Sequence, residues 1–103
     1  MVKFIDIHSL KKLALDNEEK LAKAKDRLIN NPKKVNYSNY LFAYNYQVVL
    51  LEFLATPLEK REDYIKQLIY SFFTKYDEEE ERQARRQFVI DVTCYSFVKL
   101  LEE

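Results

Sequence analysis

The chain has 103 residues and contains no glycine, whereas an average protein has about 7%. Glycine supplies the backbone conformations of phosphate-binding loops, of dinucleotide-binding fingerprints and of the sharp turn that carries a hydrolase nucleophile. Tight β-hairpin turns also lose their best residues without it. The sequence therefore argues against these motifs. It favours long helices joined by short loops, in which asparagine takes any left-handed position.

Composition and length indicate a single helical domain, 1–103. Apolar residues make up 48% of the chain and charged residues 33%, which are globular proportions. The formal net charge is zero, so the chain as a whole does not look like a polyanion binder. The single cysteine excludes an internal disulfide and suits a reducing compartment. The sequence shows neither a signal peptide nor a membrane span, and we expect a cytoplasmic protein.

Hydrophobic periodicity predicts an all-α fold, an antiparallel bundle of about four helices after a short extended N-terminal lead-in at residues 2–7. The first helix is predicted from Ser9 to Asn30, because the residue before Pro32 is driven out of helix. The second is predicted over 38–55. The seam of the first helix follows alternating four- and three-residue steps through Leu10, Ala14, Asn17, Leu21, Ala24 and Leu28.

The segment TPLE predicts the start of the third helix. Thr56 would be its N-cap, Pro57 would occupy the first helical position, and Glu59 would complete a capping box. Asp77 is predicted to cap the fourth helix. The stretch 88–98 is rich in β-branched and aromatic residues, which favour strand. Its flanks favour helix, and helix is the prediction.

The second helix is apolar on two faces. One stripe contains Tyr37, Tyr40, Leu41, Tyr44, Val48 and Leu51, and the other contains Phe42, Tyr46, Val49 and Phe53. Such a helix is buried between neighbours or pressed against a partner chain. We therefore interpret the tyrosines as packing residues whose hydroxyls reach the rim, in preference to a ligand-stacking platform.

The last helix is also apolar on two sides, and a monomer of this size would struggle to cover both helices on both faces. We therefore predict a protein-interaction surface and a homodimer. The predicted partner interface consists of Phe42, Tyr46, Val49 and Phe53 from the second helix with Ile90, Cys94, Phe97 and Leu101 from the last.

The sequence offers no set of residues that indicates catalysis, a metal or a cofactor. His8 is the only histidine and Cys94 the only cysteine, whereas a zinc site needs three or four clustered ligands. No second thiol or histidine stands near Cys94 in sequence to activate it. The expectation is that the protein is not an enzyme and that His8 is a surface residue near the start of a helix.

The function that best fits these features is a non-enzymatic protein-interaction module, a small adaptor, inhibitor or regulator that occupies a partner surface. The alternative is a small nucleic-acid-associated regulator, because basic residues cluster in two places. The residues of this alternative are Lys20, Lys23, Arg27, Lys33 and Lys34 near the end of the first helix, and Arg82, Arg85 and Arg86 in the fourth.

Overall fold

The computed structural model describes residues 4–74 and 79–93, and in this part of the chain it contains helices and no strand. The helices are α1 (Ile7–Asn30), α2 (Lys34–Ala55), a 3₁₀ turn (Leu58–Lys60), α3 (Arg61–Thr74) and α4 (Glu79–Thr93). The predicted all-α bundle is confirmed. Asp77, and the 94–98 part of the stretch predicted as helix or strand, lie outside the described residues. Residues 88–93 are helical.

Helix α1 begins earlier than Ser9 because Asp6 is its N-cap. The Asp6 carboxylate accepts a hydrogen bond of 2.7 Å from the backbone N–H of Ser9. The preceding residues are extended and pack on the bundle. The Ile5 N–H donates to the Val92 carbonyl at 2.8 Å, and the Phe4 ring meets the edge of Phe53 at 5.4 Å between centroids. The predicted lead-in is confirmed for residues 4–6, whereas Ile7, which was predicted to belong to it, is the first residue of α1.

The Asp6 cap should make part of the stability of the fold depend on acid pH. The hydrogen bond from the Ser9 backbone holds the pKa of the Asp6 carboxyl below its ordinary value. A carboxyl with a depressed folded pKa stabilises the fold above its unfolded pKa, about 3.9, and loses that contribution as the pH falls through the folded pKa.

We therefore expect Asp6→Ala to be less stable than wild type at neutral pH and the difference to shrink in acid. Urea unfolding at a series of pH values measures both. Asp16→Ala, an exposed carboxylate within α1, is the control. A stability difference that stays constant down to low pH would contradict the cap.

Helix α2 is the centre of the bundle, since it packs on both α1 and α4, and α3 packs on α4. Its end lies near the start of α1, so these two helices are antiparallel. Its start lies near the start of α4, where the Ser38 hydroxyl donates to Glu80 at 2.9 Å. Helices α2 and α4 therefore run in the same direction, opposite to α1. The core cluster comprises Leu10, Tyr46, Val49, Leu50, Phe53, Ile65, Leu68, Ile69, Ala84, Phe88, Val89 and Val92.

The seam of α1 contains one buried polar side chain, Asn17. Its amide donates to the Ala43 carbonyl at 3.2 Å and to the Gln47 side-chain oxygen at 2.8 Å. A buried amide that is satisfied in only one alignment penalises a slipped register between two helices. Asn17 therefore fixes α1 along α2.

Thr56 does not cap the third helix, and that prediction is wrong. Thr56 ends α2 instead, and its hydroxyl donates to the Glu52 carbonyl four residues earlier at 2.7 Å. The chain then makes the 3₁₀ turn before α3 starts at Arg61. The Arg61 guanidinium donates to the Thr56 carbonyl at 3.1 Å and the Leu54 carbonyl at 3.3 Å. These bonds satisfy carbonyls at the end of α2 that have no partner within the helix.

The end of α1 is where the sequence placed it, but its geometry differs from the prediction. Asn31 closes the helix with φ −147° and ψ 85°, and its N–H donates to the Arg27 carbonyl. Because this φ is negative, asparagine is not used here for a left-handed conformation. The Asn36 side chain donates to the Asn31 carbonyl at 2.7 Å, which ties the turn to the first residues of α2.

Candidate interaction surfaces

The outer face of α2 is apolar, aromatic and exposed. Tyr37 is 51% exposed, Tyr44 48% and Leu51 54%. They recur every seven residues, and Leu41 and Val48 fall between them at the four- and three-residue steps of a helix-pairing seam. We call Tyr37, Leu41, Tyr44, Val48 and Leu51 the outer stripe. No charged residue occurs between Lys34 and Glu52, so the face lacks the charges of an ordinary solvated helix.

The other stripe of α2 is the one that faces the core, and this corrects the predicted interface. Tyr46 and Val49 are each 4% exposed and Phe53 is 1% exposed. The Tyr46 and Phe53 rings pack edge-on against Phe88 of α4, at 5.7 and 5.4 Å between centroids. These side chains are covered by the chain itself and are not accessible to a partner. Phe42 is half-buried beside them.

The predicted contribution of the last helix is only partly within the described residues. Ile90 is half-buried, whereas Cys94, Phe97 and Leu101 lie outside the described residues. The core face of α4 is formed by Ala84, Phe88, Val89 and Val92. The two apolar faces predicted for this helix therefore include the one that packs on α2.

A polar network lies at the edge of the core between α2 and α4. The Tyr46 hydroxyl donates to one oxygen of Asp91 at 2.7 Å, and the Gln87 amide donates to the other at 2.8 Å. Burial raises the pKa of Tyr46 above its ordinary value, and the hydrogen bond to Asp91 raises it further. Asp91 therefore has a partner on each oxygen, and the network joins the two helices.

A groove lies beside this network, between α1 and α4, on the side of α2 opposite the outer stripe. Near α1 it is a cavity of about 360 Å³ whose lining includes Phe42 and Asn39. A smaller cavity of about 270 Å³ lies on the α4 side of Phe42. We call the two cavities together the Phe42 groove. Its basic lining residues are Lys20, Lys23 and Arg27 from α1 and Arg86 from α4.

The structure separates the remaining basic residues from this groove. Arg85 turns to the other side of α4, where it pairs with Glu81 at 2.6 Å. Lys33 and Lys34 are exposed at the start of α2, and Arg82 is exposed on α4. Four of the eight basic residues named for nucleic-acid binding thus line one groove.

A second polar groove separates α2 from α3 and α4. The Tyr64 hydroxyl donates to the Glu52 carboxylate at 2.7 Å, and Arg85 borders the same cavity. Burial raises the pKa of Tyr64, and the bond to Glu52 raises it further. Because these groups already satisfy one another, the arrangement is one of structural hydrogen bonds between helices.

Among the described residues, no group of three or more histidine, cysteine, aspartate or glutamate side chains could hold a metal ion. His8 is exposed in the first turn of α1, as predicted, and Cys94 lies outside the described residues. No helix within residues 4–74 and 79–93 has the length and apolar character needed to cross a membrane.

Sequence reasoning found the two stripes of α2 but not which one is exposed. It also missed the polar lining of the Phe42 groove, Asn39, Gln83 and Gln87. Gln87 and Asp91 stand four apart with matching hydrogen-bonding groups, a spacing that brings side chains together on a helix. From that spacing the contact between Gln87 and Asp91 could have been predicted.

Comparison with known proteins does not indicate a function for these surfaces. No protein-family model matches the chain, and no curated protein and no solved structure matches it either.

Proposed function

We propose that the protein is a non-enzymatic interaction module that works through helix-on-helix contact, and that its outer stripe pairs with the same stripe of a second copy. The observation that carries this proposal is the exposed outer face of α2, which is apolar and uncharged over its central turns. Contiguous exposed apolar surface of this kind marks protein interfaces. The four- and three-residue spacing is that of residues that insert between those of a facing helix.

The stripe is nearly symmetric about Tyr44, which suits a two-fold pairing. In an antiparallel pair with its axis at Tyr44, that ring meets its own counterpart. Tyr37 of each copy then lies against Leu51 of the other, because both are seven residues from the centre. Each aromatic residue at the ends thus has an aliphatic partner. A two-fold arrangement is the commonest form of soluble homodimer.

The charges at the two ends of the stripe favour the antiparallel arrangement. Lys34 precedes the uncharged stretch and Glu52 follows it. Antiparallel pairing brings the lysine of each copy toward the glutamate of the other, whereas parallel pairing brings like charges together. Opposite charges at the rim of an interface select orientation more than they add affinity.

The contact is small, so we expect a reversible dimer. A single helix pair of this length falls at the small end of specific interfaces, below about 1,200 Å² in total. Such interfaces belong to transient complexes rather than permanent ones. A module of this kind could exchange its second copy for another helical partner.

Cysteine cross-linking tests the pairing and its direction, in a Cys94→Ser background that removes the native thiol. Under mild oxidation Tyr44→Cys should form a covalent dimer with itself, because the two-fold axis brings the two positions together. Leu51→Cys alone should not. A mixture of Tyr37→Cys and Leu51→Cys chains should form the mixed dimer.

The control is Leu15→Cys, an exposed position on α1, which should form no covalent dimer. Self-cross-linking of Leu51→Cys as efficient as that of Tyr44→Cys would show a parallel pair and refute the antiparallel register. Sedimentation equilibrium provides the independent measurement. Wild type should dimerise, and Tyr44→Lys with Leu51→Lys should be a folded monomer. Wild type that is monomeric at every concentration would refute the proposal.

A further inference from the structure

The Phe42 groove gathers basic side chains from two helices that are far apart in sequence. Lys20, Lys23 and Arg27 lie along one side of α1, at the three- and four-residue steps that align side chains on a helix. Arg86 lines the same groove from α4. Between the two walls lies the partly exposed ring of Phe42, stacked on Tyr46 with 6.3 Å between centroids. The groove therefore combines cationic walls with an aromatic floor.

The basic lining residues of the groove outnumber the acidic ones by four to two, the acidic ones being Asp16 and Asp91. Asp91 accepts hydrogen bonds on both oxygens from Tyr46 and Gln87, which hold the carboxylate in place and leave its negative charge. Lys23 pairs with Glu19 at 3.0 Å, but both side chains are more than 60% exposed. Such a surface pair contributes little and can be replaced by a stronger anion. Asp16 is the remaining acidic lining residue.

We infer that this groove binds a nucleotide, with the phosphate on the basic wall of α1 and the base against Phe42. Lysine and arginine hold phosphate oxygens by charge-assisted hydrogen bonds. A base stacks on an exposed aromatic ring, and this contact is tolerant of base identity. Asn39, Gln83 and Gln87 add amide groups that can bond to base edges or sugar hydroxyls. A cavity of about 360 Å³ is within the usual range for small-molecule sites.

A free nucleotide and one nucleotide unit of a single-stranded nucleic acid offer the groove the same phosphate and base. The site lies on the side of α2 opposite the outer stripe, because Phe42 and Tyr46 each point about 160° away from Tyr44 at 100° per residue. A nucleotide can therefore bind whether or not the protein dimerises. The two proposals can fail separately.

The test uses fluorescence anisotropy with a labelled oligothymidylate, and it uses ATP and inorganic phosphate as competitors. We expect the logarithm of the binding constant to fall linearly with the logarithm of the salt concentration. The slope should be about −2, since three contacts to a single strand each contribute about −0.7. Lys20→Gln should make the slope shallower by about 0.7. Phe42→Leu should weaken binding about tenfold, and Phe42→Tyr should restore it.

The matched control removes the same charge elsewhere. Lys20→Gln with Lys23→Gln and Arg27→Gln should abolish binding, whereas Lys11→Gln with Lys25→Gln and Lys66→Gln, all exposed and outside the groove, should retain it. If ATP competes as effectively as the unlabelled strand, per nucleotide, the free nucleotide is a sufficient ligand. If ATP competes more weakly, the ligand is the strand. Absence of binding at low salt overturns the inference. Equal losses in the two triple variants, or equal competition by inorganic phosphate and ATP, also overturn it.

Discussion

Replacing Phe88 with alanine should lower the free energy of unfolding by about 3–5 kcal/mol. Phe88 is fully buried, and its ring packs against both Tyr46 and Phe53 of the central helix. Removing it takes away its transfer free energy and leaves a cavity that two aromatic neighbours must line. Urea unfolding followed by far-ultraviolet circular dichroism measures the loss.

The control for this substitution is Leu15→Ala, which removes an exposed apolar side chain from α1 and should change stability by less than about 0.5 kcal/mol. If Phe88→Ala does not fold at all, Phe88→Leu keeps part of the volume and should give a smaller, measurable loss. Equal effects at Phe88 and Leu15 would contradict the assignment of the α4 core face.

Removing the Tyr46 hydroxyl should cost about 1.5–3 kcal/mol, the range for a hydrogen bond to a charged group. Tyr46→Phe keeps the ring in the core but leaves one Asp91 oxygen without its donor. The loss should be largely absent when Tyr46→Phe is made in an Asp91→Asn background, because the charged acceptor is then gone. The double-mutant cycle isolates this pair.

The same substitution should change the alkaline stability of the protein. Burial and the Asp91 bond raise the pKa of Tyr46 in the folded state, whereas an unfolded tyrosine titrates near pH 10. The contribution of the protonated hydroxyl is therefore fully present below about pH 10 and is lost as the pH rises toward the folded pKa. Tyr46→Phe should lose less stability than wild type above pH 10. Tyr37→Phe, on the exposed face, should behave like wild type, and a steeper alkaline loss in Tyr46→Phe would contradict the network.

The periodicity of each helix could be predicted from the sequence, but the helix faces that pack against each other could not. The α1 seam, including Asn17, follows from alternating steps that any amphipathic helix must show. The helical wheel of α2 shows two apolar faces, but it carries no information on which face α4 covers. That is decided by Phe88, which fits between Tyr46 and Phe53. The exposed face could be recognised only once the covered one was known.

The cap at Thr56 shows a second limit, which is competition between local interactions. A threonine hydroxyl can accept from the helix that follows or donate to the helix that precedes it. Here it donates to Glu52, and Arg61 donates to the Leu54 and Thr56 carbonyls. The Phe42 groove was unpredictable for another reason. Its basic residues were evident in the sequence, but only the packing of α1 and α4 on one helix places Lys20 and Arg86 around the same ring.

The central position of α2 has a consequence for how the molecule unfolds. Helix α1 buries its seam against α2, and α4 buries its core face there too. If α2 melts, its two principal neighbours lose the packing surface from which most of the stability of a helix in a protein comes. A partly unfolded state that kept half of the bundle would leave the apolar faces of the remaining helices uncovered. The described helices should therefore unfold in one cooperative transition, and the stability of α1 and α4 should depend on the hydrophobic helix α2 between them.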